Sequence, residues 1–159
     1  PVHLYGNVAY LDRISEIAKK FNIPIIEDSA QSLGSTFKKR HTGTFFEMGC
    51  FSMYPAKVMT AGEGGFIVTN NKKLRDKLLM IRNHGMLKGY DTRLLGLNLR
   101  LPEINAAIAT IQMKKLNILF IAVISITSFS CNKEIATTQK DVMKNLLVNK
   151  NWYLECHHH

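Results

Sequence analysis

The chain has 159 residues, 46% of them hydrophobic, with 21 Lys and Arg against 12 Asp and Glu for a formal charge of +9. That length sets one domain as the default, and that apolar content is enough for a packed core, which excludes a disordered chain. The basic excess lies in separate short runs, Lys19-Lys20, Lys38-Lys39-Arg40, Lys72-Lys73 and Lys114-Lys115, without interleaved aromatics, so it reads as solvated helix ends and turns and not as a nucleic-acid-binding stripe.

Cys50, Cys131 and Cys156 are odd in number and widely spaced, with no Cys-x-x-Cys pair. They indicate neither a zinc site nor a disulfide framework, and reduced, cytosolic thiols fit the first two thirds of the chain.

The opening Pro1-Val2-His3-Leu4-Tyr5-Gly6 has no initiator methionine, as though the start of a larger protein were missing. From Val8 to Phe21 the apolar residues Leu11, Ile14, Ile17, Ala18 and Phe21 recur at helical spacing, and Asn22 is the expected stop. Pro24-Ile25-Ile26 suits a short buried parallel strand. It runs into Glu27-Asp28-Ser29-Ala30-Gln31, which sets two carboxylates where the strand meets the next loop. Ligands of open α/β sheets bind outside such strand ends, and a strand-end Asp also caps turns; one carboxylate can cap while the other faces a ligand.

Residues 33–49 read as a turn-rich connection, marked by Gly34, Gly43 and Gly49. A β-type run at Phe51-Ser52 follows, then Lys57 five residues after Ser52, then the cluster Gly62-Glu63-Gly64-Gly65 and a strand Phe66-Ile67-Val68-Thr69. The glycines permit a tight turn and a close approach of backbone to a ligand. A lysine so placed pairs with a phosphate or forms a Schiff base, the second role needing a depressed pKa; alternatively it is a surface lysine beside a glycine turn. Residues 72–82 form a second amphipathic helix, with Gly85 as its stop, and His84 is either a ligand or a histidine favoured by the helix dipole. After an irregular link over 86–101, Pro102 begins a third helix with Ile104, Ala107, Ile108, Ile111 and Leu116 on its apolar side. The expected architecture is an α/β layer, one half of a larger sheet.

Several of these segments, in order, resemble the DegT/DnrJ/EryC1/StrS family of pyridoxal-phosphate-dependent sugar aminotransferases over residues 1–117. The opening Pro1 to Gly6 looks like the family's strand before the helix, and Glu27-Asp28-Ser29-Ala30-Gln31 like its E-D-[AS]-A-Q segment. Ser52 through Lys57 to Gly65 looks like its S-x-x-x-x-K and G-[ED]-G-G segments, and Arg82-Asn83-His84-Gly85, Gly96-Leu97-Asn98-Leu99-Arg100, Ala106-Ala107 and Gln112 complete the series. The resemblance implies part of the large domain of a fold type I aminotransferase. It implies that Lys57 forms the covalent link to pyridoxal 5′-phosphate and moves the substrate proton, and that Asp28 holds the pyridine nitrogen protonated. It places Gln31 beside the ring and Ser52 at the phosphate, with Asn98 reaching the cofactor phosphate of a second subunit in a homodimer. Dehydratases of the family carry His in place of this lysine, so Lys57 favours transamination. The implied substrates are a nucleotide-linked keto sugar and glutamate or glutamine, in the cytoplasm.

Family chains are much longer, and their earlier part supplies the helix N-terminus that binds most of the cofactor phosphate. The expectation is that the 159-residue chain alone is inactive or nearly so. Beyond Asn117 the sequence turns to Ile118-Leu119-Phe120-Ile121-Ala122-Val123, and Met113-Lys114-Lys115 through this run to Cys131 resembles a bacterial lipoprotein signal peptide. An internal signal of that kind suggests two unrelated segments joined near Met113; the alternative is an ordinary buried apolar helix. On this reading residues 118–159 are an unrelated, mostly helical tail with Trp152-Tyr153-Leu154 as a possible strand. The alternative function is then a composite chain whose tail is secreted or membrane-anchored. His157-His158-His159 is too short to read as a tag or a metal site.

Overall fold

The computed structural model describes the backbone of residues 1–127 and side chains through residue 116. The readings that fall on Cys131 and Trp152-Tyr153-Leu154 lie outside the described residues. In chain order the elements are a 3-10 turn at Leu4–Gly6, α1 at Leu11–Phe21, β1 at Ile26–Asp28, β2 at Thr36–Phe37, β3 at Arg40–His41, β4 at Met48–Ser52, β5 at Gly65–Val68, α2 at Lys72–Arg82, β6 at Met86–Lys88, β7 at Asp91–Thr92 and α3 at Glu103–Thr127.

The central sheet has the order β1-β4-β5, with β1 parallel and β5 antiparallel to β4. Val2 adds a parallel bridge to Asp28 on the outer side of β1. The expected strand at 24–26 therefore lies two residues later. Pro24 has no N–H for a ladder, and the N–H of Ile25 is taken by the Glu47 side chain at 2.7 Å, so pairing starts only at Ile26.

Alternation along the strands divides the sheet into two faces. Glu27, Gly49 and Phe51 are buried on one; Phe51 stacks on its cross-strand partner Phe66 with ring centroids 4.7 Å apart. Ile26, Asp28, Met48, Cys50 and Ser52 point to the other, which is exposed or half-buried.

α1 begins at Leu11 rather than Val8, because the N–H of Ala9 is drawn to Nδ1 of His3 at 3.2 Å and the chain turns into the helix only afterwards. Leu11 is buried and Ile14 and Ala18 are half-buried, while Ile17 and Phe21 remain exposed. Asn22 ends the helix as expected, in the left-handed region at φ 52°, which asparagine tolerates better than most residues. Gly85 stops α2: its N–H bonds to the carbonyl of Met80 at 2.8 Å, and at φ 73° an added Cβ would overlap the Leu94 carbonyl.

Two hairpins lie in segments expected to be irregular. β2 and β3 are joined through Lys38 and Lys39, both left-handed at φ 49° and 62°, a geometry ordinarily signalled by Asn-Gly. Here Lys38 is held by an ion pair to Asp12. β6 and β7 form the second hairpin.

α3 runs unbroken through residue 117. It packs through Ala106, Ala109 and Met113, leaving Ile104, Ile108 and Ile111 exposed, so the isoleucine stripe expected to be its packed side is not the one the described residues bury. The small alanines win because they let the helix approach the buried Met53, Met59 and Ala61 closely. No described helix is long and apolar enough to cross a membrane.

The N-cap of α2 gives a modest test of the fold. Asn71 Oδ1 accepts the Leu74 N–H at 3.1 Å. Asn71→Ala is expected to cost about 1 kcal/mol and Asn71→Gly only a few tenths, read as shifts in the denaturant midpoint.

Candidate functional site

Parallel pairing puts Asp28 at the C-terminal end of β1 directly beside Cys50 of β4, and Ser52 two residues further along the same face. Strand spacing sets the Asp28 and Ser52 backbones on the order of 8 Å apart. Asp28 is exposed; its Oδ1 accepts the Ala30 N–H at 3.1 Å, closing the local turn and leaving the second oxygen to face outward. Ser52 Oγ accepts the Tyr54 N–H at 3.2 Å, which leaves its own O–H to donate. Between them the Cys50 thiol is pushed up from its ordinary pKa, first by burial and second by the Asp28 carboxylate, so it stays protonated.

Gln31 follows on the turn after β1. Its Oε1 accepts the Tyr5 N–H at 3.0 Å, which fixes the amide so that its NH2 remains a donor. Tyr5 itself sits at φ 53°.

Beyond Ser52 the chain makes a loop from Met53 to Gly64 that carries Lys57. The neck is closed by the Met53 N–H to the Gly64 carbonyl and the Ala61 N–H to the Met53 carbonyl, each at 2.9 Å, with Thr60 Oγ1 adding a bond to Met53 O at 3.1 Å. Met53, Met59 and Ala61 are buried beneath it, while Tyr54, Pro55, Ala56 and Val58 are exposed. Lys57 is half-buried and makes no ion pair among the described residues.

Asn98 stands on a different part of the chain. It bridges to Asn83, and its neighbours Leu97 and Leu99 are bonded to α2 through the carbonyls of Ile81 and Arg82. Its Oδ1 accepts Arg100 Nε at 2.9 Å. The fold thus brings Asp28, Gln31, Ser52 and the Lys57 loop to one end of the sheet and fastens Asn98 to the end of α2.

Glu27 neither caps nor faces a ligand. It is fully buried: Oε2 accepts His3 Nε2 at 3.1 Å and the Gly43 N–H at 2.6 Å, and Oε1 accepts the N–H groups of Phe45 and Phe46 at 2.7 and 3.1 Å. Because His3 Nδ1 accepts from Ala9, the ring carries its proton on Nε2 and donates it to Glu27. Gly49 makes the arrangement possible, since a Cβ there would overlap the Gly43 backbone and hold the turn away from Glu27. Sequence reasoning missed this cluster because its donors come from 16 to 24 residues away. The grouping of Cys50 with Ser52 was available in the period-2 alternation of β4, and the parallel register adds Asp28.

Among the described residues no group of three or more His, Cys, Asp and Glu side chains is arranged to hold a metal ion. A carboxylate, a hydroxyl and a carboxamide donor at one strand end, with a lysine on the loop that leaves it, are the kinds of group that pyridoxal 5′-phosphate takes. The residues present fit that cofactor.

The sequence profile of the DegT/DnrJ/EryC1/StrS aminotransferase family matches residues 1–127. The chain belongs to this family. A UDP-4-amino-4,6-dideoxy-N-acetyl-beta-L-altrosamine transaminase from Campylobacter jejuni is 40% identical over 116 residues, covering 70% of this chain and 31% of the relative. GDP-perosamine synthase from Caulobacter vibrioides is 36% identical over 119 residues, covering 74% and 32%. The crystal structure of a DegT DnrJ EryC1 StrS aminotransferase from Brucella abortus superposes with a TM-score of 0.69 at 37% identity, covering 72% of this chain and 31% of that one. The fold is that of fold type I aminotransferases, which depend on pyridoxal phosphate. The chain spans about a third of the length of these DegT/DnrJ/EryC1/StrS relatives.

Proposed function

We propose that this chain carries the lysine-bearing part of a pyridoxal-phosphate-dependent aminotransferase that moves an amino group from glutamate or glutamine to a nucleotide-linked keto sugar. The observation that carries the reading is the placement of Asp28 and Ser52 on one sheet face at the strand end that leads into the Lys57 loop. The nucleotide-sugar substrates named for the relatives support the substrate class.

Pyridoxal 5′-phosphate, when bound, supplies an aldehyde and an electron-withdrawing ring. Asp28, with one oxygen engaged by Ala30, would hold the pyridine nitrogen through the other. Ser52 donates its hydroxyl to the phosphate, and Gln31 donates its free amide hydrogens to the ring. Lys57 would hold the cofactor through its amine and, when free, would be the group that carries a proton to and from the substrate carbon. We assign Asn98 to the cofactor phosphate of a second copy in a homodimer, and the protein to the cytoplasm. We assign residues 1–117 to the cofactor-binding domain.

The reading is tested by incubating the chain, extended with the flanking segments of a relative, with pyridoxal 5′-phosphate, reducing with borohydride and mapping the label. A stable pyridoxyl increment concentrated on Lys57 is expected, weakened severalfold in Asp28→Asn. Label spread evenly over the lysines, or absent, sinks the assignment of Lys57.

A further inference from the structure

The side chain of Asn105, near the start of α3, reaches 44 residues back along the chain to the loop that carries Lys57. Its Nδ2 donates to the Ala61 carbonyl at 2.8 Å and to the Glu63 carbonyl at 2.9 Å. Both acceptors are carbonyls, so the amide must present its NH2 to them and both of its hydrogens are used. Gly62 lies between the two carbonyls, and a Cβ there would stand 3.6 Å from the same nitrogen. α3 therefore meets this loop in two ways. Ala109 packs against its buried underside, and Asn105 binds its backbone at the glycine turn.

We infer that Asn105 is a positioning residue for Lys57: it fixes the returning limb of the loop and thereby holds the amine at the strand end beside Asp28 and Ser52. Three residues lie between Lys57 and Ala61, and among the described residues the other hydrogen bonds of that limb go to Met53 and within its own turn, while Met59 and Ala61 pack in the core. Releasing the Ala61 and Glu63 carbonyls frees the limb, and Lys57, which no ion pair restrains among the described residues, samples a wider volume. The inference rests on the catalytic reading of Lys57 and adds the device that keeps it in place.

The effect is local, which separates it from general destabilisation. Hydrogen exchange of the Ala61 amide, bonded to Met53 O, reports the loop, and that of the Ser29 amide, bonded to Cys50 O at 2.8 Å, reports the sheet. In Asn105→Ala the Ala61 amide is expected to lose about tenfold in protection while Ser29 is unchanged. Asn105→Asp is expected to lose more than the alanine variant, because a carboxylate would face two carbonyl oxygens. Pyridoxal phosphate and borohydride labelling supplies the second readout: the ratio of label on Lys57 to label on Lys19 falls about tenfold in Asn105→Asp. Unchanged Ala61 protection, an equal loss at Ser29, or an unchanged labelling ratio overturns the inference. If the parent chain shows no preferential label on Lys57, the catalytic reading fails, and the exchange arm still decides whether Asn105 holds the loop.

Discussion

Lys57→Arg is expected to lose transamination as completely as Lys57→Ala, by at least about 10³-fold, when measured in a chain extended with the flanking segments of a relative. The arginine variant decides between the two chemical roles open to this lysine. If the side chain served only as a cation beside a phosphate, a guanidinium would substitute well, with its fork of donors and permanent charge. An amine that bonds an aldehyde and exchanges protons must lose its proton, which arginine does not do. Lys57 is half-buried and makes no ion pair among the described residues. Retention of more than a tenth of the rate in Lys57→Arg would make the lysine a phosphate contact. Hydrogen exchange of the Ser29 amide, bonded to Cys50 O, separates this from misfolding, because an intact variant keeps its protection there.

What the sequence conveyed about this region depended on the range of the interactions involved. The glycine turn at 62–65, the Asn22 and Gly85 stops and the position of Lys57 were legible because each depends on a few consecutive residues and their allowed backbone angles. The start of β1 was misplaced because what removes Ile25 from the ladder is the side chain of Glu47, 22 residues later. The Lys38-Lys39 turn carried no signal, since both lysines are left-handed against their own propensity and the ion pair that Lys38 makes goes to Asp12 on another element. The packed face of α3 was misread for a related reason. Hydrophobicity favoured Ile104, Ile108 and Ile111, but the closely packed contact goes to alanines beside an asparagine that bonds a distant loop. The order of family motifs supplied the chemistry, and the fold supplied the residues that hold it in place.

Glu27 is the residue whose loss is expected to damage the fold most. Its carboxylate collects three backbone N–H groups and the His3 ring without exposure to water, and all four donors lose a charged acceptor if it is removed. Glu27→Gln keeps one oxygen but turns an NH2 toward two donors, so a loss of about 3–5 kcal/mol is expected from urea unfolding, a large part of the whole stability of a domain this size. Glu27→Ala is expected to be worse, since it adds a cavity to the four orphaned donors. A double-mutant cycle with His3→Ala identifies the network: the two changes should cost at least about 1 kcal/mol less together than the sum of their separate costs, because His3 no longer seeks the missing oxygen. Additive losses, or a Glu27→Gln protein within about 1 kcal/mol of the parent, would contradict the assignment. The consequence reaches the site through the backbone. Glu27 is the residue before Asp28, and the turn it holds at 43–46 leads directly into β4, so the same four hydrogen bonds that stabilise the sheet also set Asp28 against Cys50 and Ser52.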